Sequence, residues 1–198
     1  KVIQTAEAIA PCVLWLDELE KAFAGMSGGS HDSGTGARVF GTFLTWMQEK
    51  TTSVFVYATA NNVKVLPPEL LRKGRFDETF SVMLPTKTER EEIFRIHLNN
   101  KNRGSLFNGP QVSVLADNSK GYTGAEIEVA INDALFAAFS EGKELTVEHI
   151  VKALDDTNPL SHMMKAEIDA MIEWCKTRTR AANFEETQVV TNTLTGRS

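Results

Sequence analysis

The sequence predicts an α/β fold, a parallel sheet followed by an all-helical part, and three observations carry that prediction. Short apolar runs occur at Cys12 to Leu16, Val54 to Ala58 and Thr79 to Leu84. Segments of helical character separate them, the arrangement that parallel pairing requires. After Pro85 the apolar residues recur only at helical spacing. The boundary between the two parts therefore falls near Pro85.

Taken in order, residues Lys1 to Ile9 read as the last turns of a helix, so the chain is expected to begin inside an element. The first strand is followed by the polar, glycine-rich stretch Gly25 to Gly36, which is expected to be a mobile loop. Across Arg38 to Glu49, Val39, Phe43, Leu44, Trp46 and Met47 form a helical stripe. Thr86-Lys-Thr-Glu89 and Thr123-Gly-Ala-Glu126 match the capping box, in which hydroxyl and carboxylate satisfy each other's backbone amides at a helix start. Ile127, Ile131, Ala134, Leu135 and Ala138 mark one face of the helix that follows the second box. Thr146 caps a further helix running to about Asp156, and Ile168, Met171, Ile172 and Cys175 mark a face of another beyond Pro159. The tail from Asn183 is polar and expected to be disordered. The resulting plan is an α/β part over 1–85, a helical domain over 86–156, a C-terminal helix over 157–182 and a tail over 183–198.

Composition narrows the function classes. The 198 residues carry a net charge of −5, and the sequence pI is near 5.5. This argues against whole-surface binding to a nucleic acid backbone. Two cysteines, Cys12 and Cys175, are too few for a disulfide framework or a cysteine metal site, and fit a reducing compartment. No apolar run approaches the roughly 18 residues of a membrane span. His31 lacks a second His or Cys at ligand spacing and reads as solvated. Trp15 and Trp46 read as core side chains, and Glu89-Arg-Glu-Glu92 as a solvated helix start.

Three segments carry chemistry. Val13-Leu-Trp-Leu-Asp-Glu18 ends an apolar strand in two acids, at the sheet edge where ligands bind in such folds. Asp17 suits holding Mg²⁺ through its waters, and Glu18 suits polarising a water for attack on a γ-phosphate. An acidic first turn that favours the helix dipole explains the hexapeptide equally well. Tyr57-Ala-Thr-Ala-Asn-Asn62 places short polar side chains at the next strand end, where one can orient the attacking water, although Asn pairs are common in turns. Leu66 to Asp77 contains Arg72 and Arg75 beside a glycine. Guanidinium groups there either reach a neighbouring subunit's nucleotide or simply face solvent.

Together and in this order the three segments resemble the Walker B motif, sensor 1 and second region of homology of the AAA family. The resemblance implies a partial P-loop NTPase sheet followed by a helical lid, with ATP and Mg²⁺ as cofactors. Counting back from Leu66, as the family pattern requires, makes Asn61 the sensor. Arg72 and Arg75 match the paired arginine fingers, with Lys73 where the family has proline. Gly121-Tyr-Thr-Gly-Ala-Glu126 resembles the lid segment near the nucleotide, which implies nucleotide contact at Gly124 and Ala125; close helix packing is the alternative role for Gly124. The glycine-rich loop matches a pore-facing region of AAA rings. Arg38-Val-Phe-Gly-Thr-Phe-Leu-Thr-Trp-Met, Ala58-Thr-Ala-Asn-Asn and the Trp174-Cys-Lys-Thr-Arg helix further resemble an AAA group encoded in cyanobacteria and in algal plastids as a hypothetical chloroplast open reading frame.

One family feature is missing. The 198 residues contain no Gly-x-x-x-x-Gly-Lys-[Ser/Thr], the loop whose amides and lysine cradle the phosphates. In the family it lies upstream of the Walker B strand, on a central strand between the Val54 and Thr79 strands. The chain is therefore expected to be a piece of a longer protein, inactive alone. The expected function is the ATPase module of a homo-oligomeric remodelling ring, hexameric by family resemblance, acting on a polypeptide in the cytoplasm or plastid stroma. The alternatives are a non-catalytic assembly piece lending its arginines in trans, and a nucleic-acid-linked AAA protein; neither nucleic acid nor membrane is an expected partner.

Overall fold

The computed structural model describes residues 1–23, 33–72 and 74–182, with the backbone alone at residues 23, 33–37 and 39. It divides into two compact units, Lys1–Glu78 and one beginning at Thr79. Most of the glycine-rich loop with His31, Lys73 and the tail from Asn183 lie outside the described residues.

In the first unit, α1 (Val2–Ala8) leads into β1 (Cys12–Leu16), α2 (Leu19–Phe23), α3 (Ser33–Glu49) and β2 (Val54–Ala58). β1 and β2 pair in parallel, from Cys12 against Val54 to Leu16 against Ala58. One face of the pair packs on a core of Leu19, Phe40, Phe43, Leu44, Met47 and Leu70, to which α3 contributes most. Trp46 joins that core, its indole N–H donating to Glu7 Oε1 at 2.9 Å. α3 begins at Ser33, not Arg38, and so takes in Gly34 and Gly36 from the stretch expected to be loop. Each costs a helix about 1 kcal/mol relative to alanine, a cost that the packing of the helix's apolar face offsets. Trp15 is a second departure: it is 65% exposed. Side chains alternate along a strand. Trp15 therefore stands with Val13, Phe55 and Tyr57 on the face opposite the core.

The second unit opens with β3 (Phe80–Ser81), much shorter than the Thr79 to Leu84 strand that the sequence predicts. Its partner is β4 (Arg180–Ala181), again parallel. The C-terminal helix accordingly stops at Lys176 and does not continue to Ala182. Pairing decides how much of an apolar run becomes strand, and β4 offers β3 two residues.

Between them lie α4 (Lys87–Asn100), α5 (Gly109–Asn118), α6 (Gly124–Ser140), α7 (Val147–Asp155), α8 (Leu160–Met163) and α9 (Lys165–Lys176). Both expected capping boxes form, at Thr86 with Glu89 and at Thr123 with Glu126, and Asn108 with Gln111 adds a third. Thr146 caps α7, its N–H donating to His149 Nδ1 at 3.2 Å. Phe94, Leu115, Ile127, Ile131, Ala134, Ile150 and Leu154 are completely buried in one core. Tyr122 closes that core, its hydroxyl 2.5 Å from the Leu154 carbonyl and 2.7 Å from that of Thr157. Arg90 is buried, not solvated. Its Nε and Nη2 donate to the Ala116 carbonyl, and its Nη1 to that of Pro85. The guanidinium thus satisfies two carbonyls that an apolar side chain would leave bare. Gly121 is needed twice over: its φ is +90°, and an added Cβ would stand 2.8 Å from Ser161 Oγ.

Candidate active site at the ends of the parallel strands

Because β1 and β2 are parallel and in register, the residues that follow them emerge at one sheet edge. Thr59, the first residue after β2, binds both acids that follow β1. Its hydroxyl donates to Asp17 Oδ1 at 2.5 Å and accepts the Glu18 N–H at 3.0 Å. Its backbone continues the ladder, taking the Leu16 carbonyl at 3.0 Å and receiving the Leu19 N–H at 2.8 Å. A second bond runs the other way: Glu20, at the start of α2, accepts the Asn61 N–H on Oε1 at 3.0 Å. Asp17, Glu18 and Asn61 are thereby held at one edge, at the strand ends where α/β sheets bind ligands.

Glu18 occupies the left-handed region, with φ +49°. A side chain there costs on the order of 1–3 kcal/mol and persists only where the surroundings impose it. Here the Thr59 hydroxyl holds its N–H, and its carbonyl accepts the Lys21 N–H at 2.8 Å. Its carboxylate lies 2.6 Å from Lys21 Nζ. That hydrogen bond raises the Lys21 pKa above the ordinary lysine value. Exposed pairs of this kind add little stability, so the contact chiefly orients the Glu18 side chain.

Asp17 fits a Mg²⁺ role. Thr59 occupies one carboxylate oxygen and leaves the other for the ion's water shell. Among the described residues no group of three His, Cys, Asp or Glu side chains could hold a metal. Mg²⁺ is typically held by one or two carboxylates together with substrate phosphates.

The arginines differ from each other. Arg75 donates from Nη1 to the Glu69 carbonyl of its own turn. Arg72 is exposed, and its guanidinium has no partner among the described residues. Gly74 between them has φ +92°, a turn that a side chain would strain.

Gly124 and Ala125 lie in the second unit, at the start of α6. Close packing does not account for Gly124, since a Cβ there would meet Ile93 Cδ1 at an ordinary 3.7 Å. Glu126 anchors this helix start. It accepts from Leu160 N–H at 2.7 Å and from the Thr123 N–H and hydroxyl, each at 2.8 Å. Burial pushes its pKa up, and these bonds outweigh that, leaving it below the ordinary 4.5.

Sequence reasoning missed Thr59 and Glu20. Thr59 stands within the Tyr57 to Asn62 run, but a threonine after a strand is unremarkable until its register partner is known. Glu20 reads as one more acid in a helix's first turn.

The profile of the ATPase family associated with various cellular activities (AAA) matches residues 1–84. The chain belongs to the AAA family. An AAA domain-containing protein ycf46 of Guillardia theta is 48% identical over 174 residues, covering 88% of this chain and 34% of the relative. The ATP-dependent zinc metalloprotease FtsH of Thermus thermophilus is 32% identical over 161 residues, covering 78% of this chain and 25% of the relative. The AAA domain of FIGL-1, solved in complex with ADP, superimposes with a TM-score of 0.68 at 17% identity, over 90% of this chain and 61% of that one. That likeness establishes the α/β AAA fold. The chain spans about a third of the length of the ycf46 relative.

Proposed function

We propose that the chain is the Walker B to lid portion of an ATP-hydrolysing AAA module, which works in a homo-oligomeric ring, hexameric by family resemblance. The observation that carries this reading is the strand-end cluster in which Thr59 pins Asp17 and Glu18 while Glu20 pins Asn61. Asp17 would hold Mg²⁺ through its waters, and the ion would supply neutralisation of charge on the phosphates. Glu18 takes the proton of the attacking water, and Asn61 orients that water. Gly124 and Ala125 bring the lid backbone close to the nucleotide, an interpretation supported by the absence of a packing reason for Gly124. Arg72 and Arg75 serve the neighbouring subunit's nucleotide. Arg72, without a partner among the described residues, is the freer of the two to do so.

The 198 residues contain no Gly-x-x-x-x-Gly-Lys-[Ser/Thr], so the proposed hydrolysis calls for a chain that also carries that loop. A polypeptide substrate and a cytoplasmic or stromal location complete the proposal. No helix among the described residues is long and apolar enough to cross a membrane.

The test uses the full chain. Glu18→Gln should bind ATP and lose turnover by about 10²- to 10⁴-fold, the contribution of a positioned base. Near wild-type hydrolysis would remove Glu18 from the chemistry. Arg72→Ala/Arg75→Ala rings should fail by on the order of 10³-fold. Mixing the two variants should restore part of the activity, because some interfaces then pair an intact Glu18 with intact fingers. No recovery in mixed rings shown to have assembled would make the arginines turn-stabilising charges.

A further inference from the structure

The bonds at the sheet edge run in both directions across a long sequence interval. Thr59, from the β2 side, holds the two acids of the β1 side. Glu20, from the β1 side, holds the backbone of Asn61 on the β2 side. Glu20 is only 9% exposed, and its Oε2 is buried with no hydrogen-bond partner among the described residues. A carboxylate so placed is expensive. Burying a charge without full pairing costs stability, and an unsatisfied buried oxygen adds to that cost. A buried group of this kind calls for an explanation, and the hold that its other oxygen has on the Asn61 N–H supplies one.

We infer that Thr59 and Glu20 form a reciprocal clasp and are positioning residues for the hydrolytic step, an inference that rests on the proposed roles of Asp17, Glu18 and Asn61. Neither needs to touch the nucleotide. Thr59 sets where the Asp17 carboxylate lies and maintains the left-handed turn at Glu18. Glu20 fixes the backbone from which the Asn61 side chain departs. The clasp thus sets the distance between the group that activates the water and the group that orients it. Near-attack geometry is sensitive on this scale, and a misplacement of about 1 Å can cost on the order of 10²-fold in rate.

The experiment uses the full chain and four variants, with ATP affinity measured separately from turnover. Thr59→Val removes the hydroxyl at nearly constant shape, and Thr59→Ser restores it. Glu20→Ala removes the acceptor, and Glu20→Gln keeps a carbonyl oxygen for the Asn61 amide. Thr59→Val and Glu20→Ala should lower kcat by about 10- to 100-fold, with the ATP Kd within about twofold of wild type. Thr59→Ser and Glu20→Gln should recover most of the rate. Amide exchange at Asn61 should quicken in Glu20→Ala and not in Glu20→Gln. Unchanged kcat in Thr59→Val and Glu20→Ala overturns the clasp, as does a loss in Glu20→Gln equal to that in Glu20→Ala. If Glu20→Ala does not fold, Thr59→Val against Thr59→Ser and wild type against Glu20→Gln still decide the matter. Glu18→Gln run alongside separates the two readings: if it hydrolyses normally, the proposed site is wrong, whereas its loss with an indifferent clasp leaves the site standing.

Discussion

The two units bury their apolar residues to different depths. In the helical unit, eight described core side chains from Phe94 to Leu154 have no exposure at all. In the α/β unit the core is shallower: Leu70 and Val54 reach 1–2%, and most of its other members lie at 5–9%. The opposite face of its sheet leaves Val13, Trp15, Phe55 and Tyr57 more than half exposed. Parallel sheets are ordinarily covered on both faces, and two strands alone are marginal. The helical unit instead closes on itself through local devices, with capping boxes at its helix starts and Tyr122, just before α6, bonded to the end of α7. The segment that carries the proposed chemistry is thus the less self-sufficient one. The proposed chemistry sits on a sheet edge held by a few crossing bonds, and the deeper burial sits in the helices.

Core truncation should break this contrast most visibly. Phe94→Ala should cost about 3–5 kcal/mol, read from hydrogen exchange of the α6 amides. Phe55→Ala, from the exposed sheet face, should shift the exchange of β1 and β2 by less than about 0.5 kcal/mol. A large cost at Phe55 would mean that this face is covered in the protein as measured.

A smaller effect concerns the lid's helix start. Thr123→Ala should destabilise the helical unit by about 1 kcal/mol, the usual worth of an N-cap. Glu126 adds a pH signature. Its pKa is lower folded than the ordinary 4.5, so its contribution is fully present above that value. It is lost as pH falls through the folded value. Glu126→Gln preserves the capping pattern and should flatten the acid limb of the unit's stability below about pH 4.5, leaving the neutral range nearly unchanged. Identical acid limbs in the two proteins would show that the Leu160 and Thr123 bonds do not favour the ionised form.

The smallest expected effect is at Gly124. With ordinary space for a Cβ and no positive φ, Gly124→Ala should change the helical unit's stability by less than about 0.5 kcal/mol. In the full chain, a fall in ATP affinity without that loss would support a nucleotide-facing role. A stability loss of several kcal/mol would return the residue to packing.

The sequence by itself determined whatever depends on neighbours within about one helical turn or along one strand. Cys12–Leu16 and Val54–Ala58 became strands at the predicted bounds, because short runs of apolar, β-branched and aromatic residues favour the extended backbone. Thr86 and Thr123 became caps because hydroxyl and carboxylate three residues apart satisfy each other's amides whatever surrounds them. The glycines at 34 and 36 misled, since packing of α3 overrode their local preference. Arg90 misled too, since its burial depends on the Ala116 carbonyl of another helix. Only the tertiary structure decided that Phe80–Ser81 would pair with Arg180–Ala181, and that Thr59 and Glu20 would tie the acids to the asparagine across some forty residues of chain. Those contacts exist only once the register of β1 against β2 brings two distant turns to one edge, and no local pattern encodes such a register.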